Sequence, residues 1–180
     1  MREVYIVISY TGTYVSKAIK LCTKNDYTHV SIALDKNLDE LYSFGRIYSY
    51  TIAPAGFVQE GIDVGTFKRF KKTKVVIFSK EVTDEQYKKI ESMIRQMEKE
   101  KGKYKFNYLG MFAVRLGKKI ARTNYFYCAE FVKYILNKGG VDTSSLPNLT
   151  KPQDFMSLEG TELIYEGYLT GYSYKEKETA

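Results

Sequence analysis

The chain has 180 residues, 44% of them apolar and 27% charged, which is enough to bury one sizeable core and excludes a disordered or fibrous protein. Its 28 Lys and Arg outnumber 21 Asp and Glu, yet no nucleic-acid-binding motif accompanies the excess, and no apolar run is long enough to span a bilayer or to serve as a secretory leader. A single domain is expected over residues 1–172, followed by a charged, disordered tail at 173–180.

"EVYIVISY" (3–10) is a continuous apolar and β-branched run of strand length. "TGTYVSKAIKLCTKND" (11–26) supplies turn residues and then helical spacing through Val15, Ala18, Ile19 and Cys22. "THVSIALD" alternates: Val30, Ile32 and Leu34 point one way, and His29, Ser31, Ala33 and Asp35 the other. "KNLDE" reads as a hairpin turn and "LYSFGRIYSYTI" as the returning strand, which makes Ser43 to Arg46 the expected cross-strand neighbours of His29. "PAGFVQEGI" is a short extended piece between breakers, and "TKVVIFSK" another strand.

The clearest helix follows in "VTDEQYKKIESMIRQMEKEKGK". Thr83 with Gln86 three residues on forms a capping-box pattern, Tyr87, Ile90, Met93, Ile94 and Met97 form the apolar stripe, and Gly102 ends it. "FNYLGMFAVRLGKKI" reads as a mostly apolar short helix, "NYFYCAEFVKYILNKGGVD" as a helix stopped by Gly139 and Gly140, and "TELIYEGY" as a late strand. The basic clusters at 68–74 and 115–122 read as solvated surface. The whole order is α+β, an antiparallel sheet with helices packed on it.

Two cysteines are present, and without a leader both are expected as free thiols in the reducing cytoplasm. Cys22 sits late in its helix, where the dipole disfavours a thiolate, and reads as a small core residue. Cys128 falls where "NYFY" gives way to the stripe Ala129, Val132, Ile135, Leu136, so it occupies the first turn of a helix. Orphan N–H groups and the positive dipole end favour an anion there, which is what a sulfur nucleophile needs. The chain holds one histidine, His29, as the candidate base.

"YTHVSIALD", "YSFGR", "AGFVQEG" and "YFYCAEFVKYIL", in this order, resemble the circularly permuted branch of the NlpC-type papain-like cysteine hydrolases, the YiiX and YebB group, and more distantly the lecithin retinol acyltransferase branch. The resemblance covers about residues 4–158. It implies a permuted papain-like antiparallel sheet or partial barrel carrying the histidine, packed against a helix opened by the nucleophile. Cys128 would attack a carbonyl carbon and His29 would shuttle the proton. The third, orienting residue of the family falls on Ser43, a departure from its usual His, acidic or amide side chain; Glu60 is the candidate substitute. Arg46 and Tyr127 are candidate substrate contacts, and Glu130 is read as structural. The implied substrate is a peptide, another amide or an acyl lipid, with no cofactor and no metal. An acyltransferase using the same pair, or a binding protein without turnover, are the alternatives.

Overall fold

The computed structural model describes residues 1–13, 26–49, 51 and 53–172. The helix expected within 11–26, with Cys22 on it, lies outside the described residues for most of its length, as does the tail at 173–180. Six strands form one antiparallel sheet: β1 (Arg2–Tyr10), β2 (His29–Ala33), β3 (Leu41–Arg46), β4 (Ala55–Glu60), β5 (Lys74–Val82) and β8 (Thr161–Tyr168). Their order is β4-β3-β2-β1-β5-β8, and the sheet does not close into a barrel. β1 and β5 are central and pair along their whole length, Arg2 opposite Val82 through Tyr10 opposite Lys74. This is why both read as near-continuous apolar runs instead of alternating ones.

The helices are α1 (Gly65–Arg69), α2 (Asp84–Lys99), α3 (Tyr108–Arg115) and α4 (Cys128–Lys138). α2 opens with the expected capping box, Thr83 and Gln86 each accepting from the other's backbone N–H. α1 was not legible in the sequence. It takes up the start of the basic cluster at 68–74, and its one buried side chain is Phe67. The strand expected over 41–52 is shorter: β3 pairs with β4 as far as Arg46 opposite Ala55, and a bond from Ile47 N to Pro54 O follows.

Alternation sorts the sheet into two faces. Val4, Ile6, Ile8, Val30, Ile32, Tyr42 and Phe44 pack against Tyr87, Ile90, Ile94 and Met97 of α2 and against Phe131, Val132, Ile135 and Leu136 of α4. The other face carries Tyr5, Val7, Ala33, Leu41, Val75 and Ile77 under Phe67, Leu169 and Tyr172. α4 ends where it meets α2: a Cβ at Gly139 would lie 2.5 Å from Ile90 Cγ1, so only glycine allows this approach. A two-stranded parallel pair, β6 (Lys105–Phe106) with β7 (Tyr125–Phe126), ties the start of α3 to the segment that leads into α4.

Candidate functional site

His29 is the first residue of β2 and Cys128 the first of α4. α4 packs on the Val30/Ile32 face while the imidazole belongs to the opposite one, so sulfur and ring meet where both elements begin, at the end of the sheet. Cys128 is 8% exposed and lies near enough to the ring to help raise its pKa. No side chain caps α4; Glu130, in its first turn, accepts from Asn107 Nδ2 at 3.4 Å, and burial raises its pKa. The N–H at the very start of α4 is the kind of donor that a developing oxyanion can use.

One ring nitrogen, Nε2, belongs to Glu60. His29 Nε2 lies 3.1 Å from Oε1 and 3.3 Å from Oε2, and Ser31 Oγ donates to Oε2 at 2.5 Å. The contact is not between neighbouring strands. Glu60 pairs with Leu41, which pairs with Ala33, four residues beyond His29, so the two side chains meet diagonally across β3 on one face. The sheet curls to allow it, and Gly45 leaves the room: a Cβ there would stand 3.5 Å from His29 Cε1 and 3.3 Å from Ser43 Oγ.

Electrostatics follow from this pairing. Burial, the largest influence on His29, lowers its pKa, but the Glu60 charge, the hydrogen bond that the ring donates to Glu60 and the nearby Cys128 sulfur outweigh it and raise the imidazole to about 10. Burial likewise pushes Glu60 up, and the His29 charge with hydrogen bonds from His29 and Ser31 brings it below the usual carboxylate range. Both side chains are mostly covered, 19% and 14% exposed, where such an ion pair is screened far less than on an open surface.

The remaining candidates divide. Ser43 is fully buried and close enough to help hold Glu60 ionised, yet its hydroxyl has no hydrogen-bond partner of ordinary geometry, the ring included. Arg46 is half-buried; burial lowers its pKa and the charge of Glu60 opposes that, which puts the guanidinium within electrostatic reach of the pair. Tyr127 donates its hydroxyl to Thr150 O at 3.1 Å and is 8% exposed, so that hydrogen is already committed. It lines a cavity of about 310 Å³ together with Lys119, Glu130 and Tyr134. A larger cavity of about 570 Å³ touches Glu60 and is walled by Asp39, Asp63, Phe67, Lys68 and Lys71. Ser31 was missed as a site residue, although it stands two past His29 on the same alternating face. Among the described residues no group of three or more His, Cys, Asp or Glu is arranged to hold a metal ion, and no helix is long and apolar enough to cross a membrane.

No protein-family model matches the chain, and no curated protein sequence matches it. Among solved structures it is similar to one described as the metalloprotein yiiX from Escherichia coli O157:H7, DUF1105, with a TM-score of 0.51 and 17% identity over 93% of this chain and 98% of that one. The two chains share a fold. The similarity spans nearly the full length of each, in keeping with the YiiX-like reading of the sequence, and at this identity it speaks for architecture alone.

Proposed function

We propose that this protein is a cysteine hydrolase acting on an amide, peptide or ester bond through a thioester on Cys128. The observation that carries the reading is one imidazole held between a carboxylate and a sulfur at the first residue of a helix. Glu60 holds Nε2, which leaves Nδ1 as the ring nitrogen for the thiol. In the proposed cycle the thiol proton already rests on His29, held as the imidazolium by Glu60, and the thiolate attacks the carbonyl carbon, with the oxyanion held by the Cys128 backbone N–H. The C–N or C–O bond then breaks as imidazolium returns the proton to the leaving amine or alcohol. Water, deprotonated by His29, attacks the thioester; the carboxylic acid leaves and the thiol is reformed. Glu60 fixes the ring orientation and stabilises the imidazolium, the part that Ser43 lacks the charge to play.

The structural neighbour's description as a metalloprotein does not carry over. His29 and Glu60 face one another as an ion pair, and among the described residues no group of three or more His, Cys, Asp or Glu fits a metal ion.

A second reading, transfer of the acyl group to an amine or lipid acceptor, is favoured by the exposed apolar side chains of α3 (Leu109 and Phe112, 59% and 62% exposed) beyond the strand that precedes Cys128. Incubating the protein with acyl donors and reading intact mass tests both. A transient acyl adduct on Cys128 that decays in water indicates hydrolysis, and decay only with added amine or lipid indicates transfer. An absence of adducts, together with iodoacetamide labelling of Cys128 that is slow at every pH and unchanged in His29→Ala, would remove the catalytic reading altogether.

A further inference from the structure

α3 turns Ala113 inward, with Met111 and Val114 partly buried against the main core. Its other face is apolar too. Leu109, Phe112 and Leu116 follow one another at helical spacing and are 59%, 62% and 74% exposed, and Ile120 in the next loop is 40% exposed. A helix apolar all round is normally buried, yet this face is left open among the described residues.

The segment that carries it is one-sided in charge. Between Glu100 and Glu130 the sequence contains seven Lys and Arg and no Asp or Glu. Removing those seven from the 28 Lys and Arg leaves 21, equal to the 21 Asp and Glu of the chain, so the net charge of +7 resides in this one segment. Lys105, Lys118, Lys119 and Arg122 are all exposed beside the apolar face. The framework under it is firm: Asn107 caps α3 by accepting from Gly110 N and donates to Ile120 O, which holds the helix and the basic loop together.

We propose that α3 and the loop through Arg122 form a docking surface for an anionic phospholipid bilayer, with Leu109, Phe112, Leu116 and Ile120 entering the headgroup boundary and the flanking lysines meeting lipid phosphates. Exposed apolar side chains ringed by cations are the two components that interfacial binding needs. A second copy of the chain would bring two +7 surfaces together, and a nucleic acid would leave the apolar centre against water or phosphate, so both fit the surface less well. β7 ends at Phe126, two residues before Cys128, so docking would bring the start of α4 close to the lipid surface. The inference stands on exposure and charge and does not depend on any chemistry at Cys128.

The experiment is co-sedimentation of the full chain with vesicles of phosphatidylcholine alone or containing phosphatidylglycerol. Binding is expected only to the second and weakens as salt rises. Lys118→Glu/Lys119→Glu should lower the partition coefficient at least about 25-fold, on the order of fivefold per lysine lost. Phe112→Asp/Leu116→Asp should abolish sedimentation. Lys71→Glu/Lys72→Glu, which changes the same number of exposed lysines in the other basic cluster, should retain most of it. The chain has no tryptophan, so Phe112→Trp supplies a single reporter whose emission should shift to the blue on anionic vesicles. Failure to bind either vesicle would overturn the proposal, as would equal losses in the two lysine variants. So would binding to nucleic acid without a tryptophan shift, or a dimer that Phe112→Asp dissolves in a protein that ignores vesicles.

Discussion

The two faces of the sheet are built from the same strands and are both buried, yet they do different work. On one, Ile6, Ile8, Val30, Ile32 and Phe44 meet α2 and α4, and the polar atoms of that cluster among the described residues are the Cys128 thiol and Tyr hydroxyls, such as that of Tyr87, which donates to Leu34 O. On the other, Ser9, Ser31 and Ser43 are fully buried beside His29 and Glu60. A polar group without partners costs free energy in such a place. Ser9 and Ser43 hydroxyls lack any, so this face gives up stability that the first face supplies. The comparison teaches that depth of burial does not separate scaffold from site; the polarity of what is buried does.

Substitutions should separate the faces. The largest expected effect is from Cys128→Ala, which removes the proposed nucleophile and should cut turnover by at least about 10³-fold, measured with a chromogenic ester, while the melting temperature moves little. Next, Glu60→Gln should lower turnover by about 10²- to 10⁴-fold and let the imidazole pKa fall from about 10 toward its ordinary 6.5, because the charge that raises it is gone. The chain has a single histidine, so its ring resonances report this without assignment. An unmoved titration would take Glu60 out of the site.

Phe44→Ala, on the packing face, should show the opposite pattern. Its ring is fully buried and contacts Phe57, Phe126 and Phe131, so the loss is about 3–5 kcal/mol by denaturant titration, with iodoacetamide reactivity of Cys128 retained in the folded fraction. The smallest effect belongs to Ser43→Ala. It deletes a hydroxyl that has no partner of its own and should change stability by less than about 1 kcal/mol and turnover far less than Glu60→Gln. Equal losses from the two would return Ser43 to the mechanism.

The pair also predicts how stability varies with pH. A folded-state pKa raised above 6.5 means that the contribution of His29 is fully present below pH 6.5 and is lost as pH rises toward about 10. Glu60, held below its ordinary 4.5, contributes above that value and loses its share as pH falls through the lowered one. Their joint contribution is therefore greatest between about pH 4.5 and 6.5. Glu60→Gln should flatten the stability profile at both ends, as read by thermal melts across the range.

Local pattern by itself determined a good deal: the strand periodicity of 29–34, the Thr83/Gln86 cap, the glycine stop of α4, and the two residues of rare type, His29 and Cys128, each at the start of its element. These are legible because they depend on spacings of two to four residues along one element. Glu60 could only be a candidate beside Ser43, because which of them meets the ring depends on how far the sheet curls across β3, and curl is set by packing between distant strands. The acid-free run from 101 to 129 was likewise open to inspection, but its apolar residues acquired meaning only from the tertiary structure. That structure buries one side of α3 against the core and leaves Leu109, Phe112 and Leu116 in water; no periodicity could have said so, since both sides of the helix are apolar.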